Sequence, residues 1–325
     1  MRRRPAPSSH FEAAIPALLA LADHVLEEWE ASLFDELSMA FGRLKPVIDQ
    51  HAGGAAVGYL LYGSCLRDGV IKDRVIDLYV IVSALDGPAR RAVPPGMQNA
   101  FLPHVFLLST PLAEGAEETA VRAKVNLITL TDLKHMVTRE APDRSIWARL
   151  AQPTALAWAK SDDDRRDLAI IIARAIQSFV TSTTEISDHH AGSTGFWTDG
   201  FRESFRAELR SERTGRPDEI VMRDELRYRM VGAAWQKHAS LTLSRRAATV
   251  SRTIARWRGK LRHIGRLLKS AKTTQGGGEG GIEYLAWKIS RHSGTPVRLN
   301  DWQRRHPLVA GIWLALTLRL RGAFR

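Results

Sequence analysis

The eight residues Val75–Val82 set the tightest limit on what this chain can fold into. They are apolar and largely β-branched, apart from one acid, Asp77, and one tyrosine, Tyr79. Such a run suits a central strand covered on both faces, since a half-exposed strand would alternate apolar with polar residues. Phe11 to Gln50 predicts helix, with Leu18, Leu19, Val25, Leu33, Leu37 and Phe41 spaced in threes and fours. Asp164 to Val180 predicts another, with acids at its N-terminal end. Gly53 and Gly54 break the first helical pattern, and Val57 to Tyr62 follows as a short buried strand. Val105 to Ser109 and Val125 to Leu130 are further strand candidates. His189 to Asp218 shows little periodicity and predicts an irregular segment.

The expected class is therefore α+β, a mixed sheet with helices, followed by helical structure. The expected division is a catalytic unit with N-terminal helices over residues 1–150, a helical unit over 151–240 and a basic amphipathic tail over 241–325. Hydrophobic residues at 44% and charged residues at 25% exclude a disordered chain and a polytopic membrane protein. The lone cysteine, Cys65, excludes an intrachain disulfide and a cysteine-based zinc site. The basic start at Met1–Arg4 is followed by an apolar stretch broken by Asp23, Glu27, Glu28 and Glu30, unlike a signal-peptide core, so a cytoplasmic chain is expected.

The chemistry concentrates where two strands meet. Tyr62-Gly63-Ser64 closes the first, and twelve residues later comes Ile76-Asp77-Leu78-Tyr79-Val80. Strand, Gly-Ser turn, short excursion and acid-bearing strand is the layout of the nucleotidyltransferase fold. A glycine lets triphosphate oxygens approach the backbone, and Ser64 with nearby N–H groups can bind them. Asp77 then faces a metal-bound phosphate, because Mg²⁺ commonly takes one or two carboxylates plus phosphate oxygens. The plainer alternative is a tight turn and an aspartate capping a strand end. The usual pattern has a second acid two residues on, and position 79 is tyrosine. Asp68 and Asp73 lie in the intervening loop as solvated acids or a second metal contact. His189-His190 is expected to be a loop dipeptide, since no matching Cys/His cluster follows.

Those motifs resemble the mitochondrial translocator-maintenance family of CTP:phosphatidate cytidylyltransferases, the peripheral CDP-diacylglycerol synthases with bacterial relatives. Tyr62-Gly63-Ser64 is similar to the family's turn, and Ile76-Asp77-Leu78-Tyr79-Val80 to its strand with a single acid. Lys124-Val125-Asn126-Leu127 resembles its lysine-led strand, and Ala148-Arg149-Leu150 with Pro153 its arginine segment, in the same order along the chain. Phe196 to Arg202 is similar only loosely, with Asp199 and Gly200 reversed in order. The likeness spans about residues 58–210. It implies CTP as donor, phosphatidate as acceptor and Mg²⁺ as cofactor. It implies Asp77 and Lys124 as catalytic residues, with Asp77 on the metal, and Gly63, Ser64 and Arg149 on the nucleotide. Taken alone, Lys124 and Arg149 are surface cations.

The charge is uneven. Residues 241–325 hold 18 Lys/Arg against three acids, a balance of +15, whereas residues 1–240 hold 29 against 32, a balance of −3. Within 241–272 the apolar positions Leu243, Ala247, Val250, Ile254, Trp257, Leu261, Ile264 and Leu268 make one helical stripe. Arg256, Lys260, Arg262, Arg266 and Lys269 are among the cations around it. A basic amphipathic helix of this kind lies on an anionic bilayer with Trp257 buried, or packs its stripe on the folded body, or pairs with a partner helix. Trp313, in a short apolar run flanked by arginines, is a second interfacial anchor. The expected location is the inner face of the membrane, peripherally bound. A nucleotidyltransferase that grips RNA with this tail, and a catalytically inactive membrane-bound relative, are the alternatives, with nucleic acid the weaker because a phosphate-tracking surface needs no apolar stripe.

Overall fold

The computed structural model describes residues 9–238 apart from 32, 73, 92, 94–95, 112–119, 142 and 207–214, together with 257–266, 269, 286, 298–306, 309–310 and 313. Two helices, α1 (Ser9–Glu30) and α2 (Asp35–Ala52), precede the sheet. The single periodic stretch expected over Phe11 to Gln50 is thus broken near residues 31–34. Strand β1 (Ala56–Tyr62) leads through α3 (Ser64–Asp68) to β2 (Val75–Val82). After α4 (Gly87–Arg91) come β3 (His104–Pro111), β4 (Ala120–Thr129), α5 (Leu130–Met136), α6 (Arg144–Leu150) and β5 (Thr154–Ala159). Helices α7 (Asp162–Thr184), α8 (Thr194–Arg206), α9 (Arg216–Arg223) and α10 (Glu225–His238) follow. A helical segment at 257–266, here α11, and α12 (Asp301–Arg305) complete the described elements.

The five strands form one mixed sheet in the order β3-β4-β2-β1-β5. β1 runs antiparallel to both β2 and β5, β2 parallel to β4, and β3 antiparallel to β4. β2 lies at the centre, and its run from Leu78 to Val82 is buried on both faces, as its continuous apolar composition requires. Leu60, Tyr62, Tyr79 and Ile81 share one core with residues of α1, α6 and α7. Leu61, Leu78 and Val80 share the other with Leu37, Phe41, Leu44 and Ile48 of α2.

Two segments differ from the sequence expectation. Strand β5 was not foreseen, and it lies beyond residue 150, where the catalytic unit was expected to end. Its Thr154–Ala159 sequence has three alanines and weak strand propensity, so pairing with β1 decides its conformation. Helix α8 occupies a stretch expected to be irregular. Phe196, Trp197, Gly200, Phe201 and Ser204 form its buried face. Gly200 masks the pattern, yet a Cβ there would fall 2.5 Å from the Phe179 ring, so packing against α7 selects it. The Phe179 ring lies 5.3 Å from Trp197 and 4.6 Å from Phe201, and Trp197 lies 4.9 Å from Tyr228 of α10. These aromatics belong to the same core as the Tyr62–Tyr79 face of the sheet.

Candidate active site

The site is built where β1 ends and β2 begins. Tyr62, Asp77 and Lys124 are register partners across β1, β2 and β4, so their side chains emerge from one row on one face of the sheet. Gly63 leaves β1 with φ +88°, a conformation that disfavours any Cβ. A Cβ at that position would also fall 2.7 Å from Oδ2 of Asp77. The glycine therefore keeps open the space in front of the carboxylate. Ser64 opens α3, and buried Cys65 ties that turn back to β2 through its Sγ, 3.5 Å from the Val75 carbonyl oxygen.

Lys124 donates from Nζ to Oδ1 of Asp77 at 3.3 Å, with the two side chains 20% and 28% exposed. The pair is accessible to a ligand yet shielded enough for its charges to matter. Beneath it lies a buried polar group. Asn126, two residues past Lys124, donates through Nδ2 to the Tyr62 hydroxyl and to the Leu78 carbonyl, both at 3.0 Å. The Tyr62 and Tyr79 rings lie 5.2 Å apart. Burial holds the Tyr62 phenol well above its ordinary range, and the Asp77 charge adds to that. Burial likewise raises Tyr79 to about 12, opposed by the Arg149 guanidinium beside its hydroxyl.

The structure thus brings Gly63, Ser64, Asp77 and Lys124 to one end of the sheet, and Arg149, in the last turn of α6, to the tyrosines of the same face. Tyr62 and Asn126 were not foreseen. Asn126 had a signal: it is the single amide in the apolar run of β4, and it is 1% exposed. Asp68 departs from expectation. It is not a solvated acid, because it forms ion pairs with Arg74 and Arg223, both at 2.5 Å. Burial raises its pKa, but those arginines outweigh that and hold the carboxyl below its ordinary value. Two arginines therefore engage it. Asp73 lies outside the described residues. His189-His190 sits in an irregular turn before α8, as expected.

Among the described residues no group of three His, Cys, Asp or Glu side chains could hold a metal ion. Asp77 beside the gap kept by Gly63 fits a Mg²⁺ ion that arrives with a nucleotide and takes most ligands from phosphate and water, and does not fit a cage supplied by the protein.

Helix α11 shows how the described part of the tail meets this body. Its Arg266, and Lys269 beyond it, are buried, at 7% and 3% exposure, rather than set in a solvated basic face as the sequence suggested. Trp257, Leu261 and Ile264 instead point outward, at 64%, 62% and 41%. Lys260 lies 5.6 Å from the Trp257 ring centre, Arg262 is half-buried and Trp313 is exposed. Arg256 and the stripe positions before residue 257 lie outside the described residues.

No family model matches the chain, and no curated protein matches it. Among solved structures, a nucleotidyltransferase-like protein from Exiguobacterium sibiricum 255-15 is similar, with 11% identity and a TM-score of 0.26 over 86% of this chain and 91% of that one.

Proposed function

We propose that this chain is a nucleotidyltransferase working at Gly63, Ser64, Asp77 and Lys124. The observation that carries the reading is the space in front of Asp77, held open by a positive-φ glycine and flanked in register by Lys124. A glycine turn, a carboxylate and a lysine at the mouth of a mixed sheet suit a bound polyphosphate. Gly63 and Ser64 bind its oxygens, Lys124 neutralises charge, and Asp77 would hold Mg²⁺, which supplies further neutralisation when bound.

The finer proposal is transfer of CMP from CTP to phosphatidate, giving CDP-diacylglycerol and pyrophosphate. It is supported by the resemblance of Tyr62–Ser64, Ile76–Val80, the Lys124 strand and the Arg149 segment to that family. An oxygen of the acceptor phosphate forms the new bond to the α-phosphorus as the bond to the bridging oxygen breaks, and pyrophosphate carries away the electron pair. The attacking oxygen is ionised near neutral pH, so no general base is needed. Catalysis then reduces to positioning and charge neutralisation, which Lys124 and the Gly63–Ser64 turn supply. The outward stripe of Trp257, Leu261 and Ile264 beside Lys260 and Arg262 supports contact with an anionic bilayer, where such an acceptor resides.

Labelled CTP, Mg²⁺ and phosphatidate vesicles test this, with an RNA acceptor in parallel. CDP-diacylglycerol is the expected product. Label in RNA instead would leave the broader reading and remove the lipid one. Vesicle binding without any transfer would mark an inactive relative.

A further inference from the structure

Arg67 lies one turn after Ser64 on α3, and its amide donates to the Gly63 carbonyl at 3.3 Å. Residues three apart share a helix face, so Ser64 and Arg67 project together. Cys65 and Leu66 between them pack into the core on the α2 side of the sheet, which turns that pair away from it. The Arg67 side chain reaches instead to the loop before β5, where Nη1 donates to Oε1 of Gln152 at 3.2 Å. Gln152 follows directly on Leu150 and Ala151, which belong to the same core as Tyr62 and Tyr79 on the Asp77 face.

That bond sets Arg67 beside the row that carries Asp77. Thr154, Tyr62, Asp77 and Lys124 are register partners across β5, β1, β2 and β4. Neighbours in such a row are about 5 Å apart. Lys124 stands on one side of Asp77, and Tyr62 and Thr154 on the other. Gln152 precedes Thr154 by two residues on a strand antiparallel to β1, so it lies past the end of the row, towards α3. Asp77 and the gap kept by Gly63 therefore sit between Lys124 and Arg67.

The setting of Arg67 suits an anion. The side chain is half-buried, and Gln152, 6% exposed, engages one N–H of its guanidinium fork. Among the described residues no carboxylate stands within ion-pairing distance of it, because its neighbour Asp68 is paired with Arg74 and Arg223. Arg223 also donates to the Arg67 carbonyl at 3.3 Å, so α9 braces the backbone that carries the side chain. A half-buried guanidinium loses hydration that one neutral amide does not replace. Phosphate oxygens match the rest of the fork.

We propose that Arg67 is a further phosphate-binding residue of this site, holding the β- and γ-phosphates of the donor, the part that leaves as pyrophosphate. This rests on reading Gly63–Asp77 as a nucleotide site. The assignment to that end follows from the fold. Arg67 shares a helix face with Ser64, in the turn that takes the triphosphate, and stands across β1 from the carboxylate at which the α-phosphorus reacts. As the acceptor oxygen bonds to the α-phosphorus, the bond to the bridging oxygen breaks and its electron pair passes to pyrophosphate. Arg67 neutralises the charge that collects there. It thereby makes the site favour a nucleoside triphosphate over a monophosphate.

The test measures the Kd of the full chain for Mg-CTP, Mg-pyrophosphate and CMP. Arg67→Gln is expected to weaken CTP and pyrophosphate by at least about tenfold, the scale of a lost charge-assisted hydrogen bond, and to leave CMP within about twofold. Unchanged pyrophosphate affinity in a folded Arg67→Gln, or an equal loss for CMP, would overturn the inference and leave the functional reading intact. If Arg67→Gln does not fold, Arg67→Lys carries the test, since it keeps the charge and loses the fork. Its expected result is a loss of at least about threefold for pyrophosphate and none for CMP, and wild-type affinity for pyrophosphate would then overturn the inference. If the unaltered chain binds neither CTP nor pyrophosphate, the functional reading falls, and the inference with it.

Discussion

A side chain at position 63 would have to occupy the space that the Asp77 carboxylate faces. Gly63→Ala adds a Cβ at φ +88° within 2.7 Å of Oδ2, so both the backbone and the acid must move. With ψ at −160° this is a region open essentially to glycine, and a non-glycine residue in it costs about 1–3 kcal/mol. The expected outcome is a loss of that size in denaturant unfolding, with a disproportionate fall in nucleotidyl transfer, measured as initial rates on the same preparation. Equal activity at reduced stability would show the glycine to be a turn residue only. At this scale the sequence was informative wherever one residue type broke a pattern. Asp77 in an apolar strand and glycine before serine both stood out. Tyr79 and Tyr62 did not, because a tyrosine in a strand is ordinary and only its neighbours reveal that its hydroxyl sits among charges. Arg266 and Lys269 resembled every other cation of the tail until Asp143 and the Met97 and Ala100 carbonyls were seen to receive them.

Among elements, continuous hydrophobicity was the dependable sign. β2 occupies the residues expected of it, and β1 begins one residue earlier than expected. β5 and α8 were hidden for opposite reasons: the strand is alanine-rich and held by its partner, and the helix contains glycines required by close packing. The docking of α11 was equally illegible, since an amphipathic pattern does not say which face is inward. Here Arg266 is buried, whereas Trp257, Leu261 and Ile264 are exposed.

That contact has a pH signature. Burial, with Lys269 adding to it, lowers His104 from 6.5 to about 3. The unfolded chain therefore binds one more proton than the folded one between those values, and stability falls as pH drops through that window. Melting temperatures measured from pH 7 to 4 should decline more steeply for the unaltered chain than for His104→Gln. Parallel curves would contradict a neutral, buried His104.

For the whole molecule, the separation of charge is as telling as the fold. The first 240 residues are close to neutral and carry the site, whereas the remainder holds the excess of Lys and Arg. No helix among the described residues is long and apolar enough to cross a membrane. Under the proposed reading the strand ends around Asp77 position phosphates, and the tail meets the anionic surface in which the acceptor lies. The central claim is that transfer occurs at Asp77, and the most direct measurement is the initial rate of labelled CMP incorporation into phosphatidate by the unaltered chain and by Asp77→Asn. The expected result is transfer by the former and a loss of at least about a hundredfold in the latter, the scale of removing one group that stabilises transition-state charge, at an unchanged melting temperature. Undiminished transfer by Asp77→Asn would contradict it.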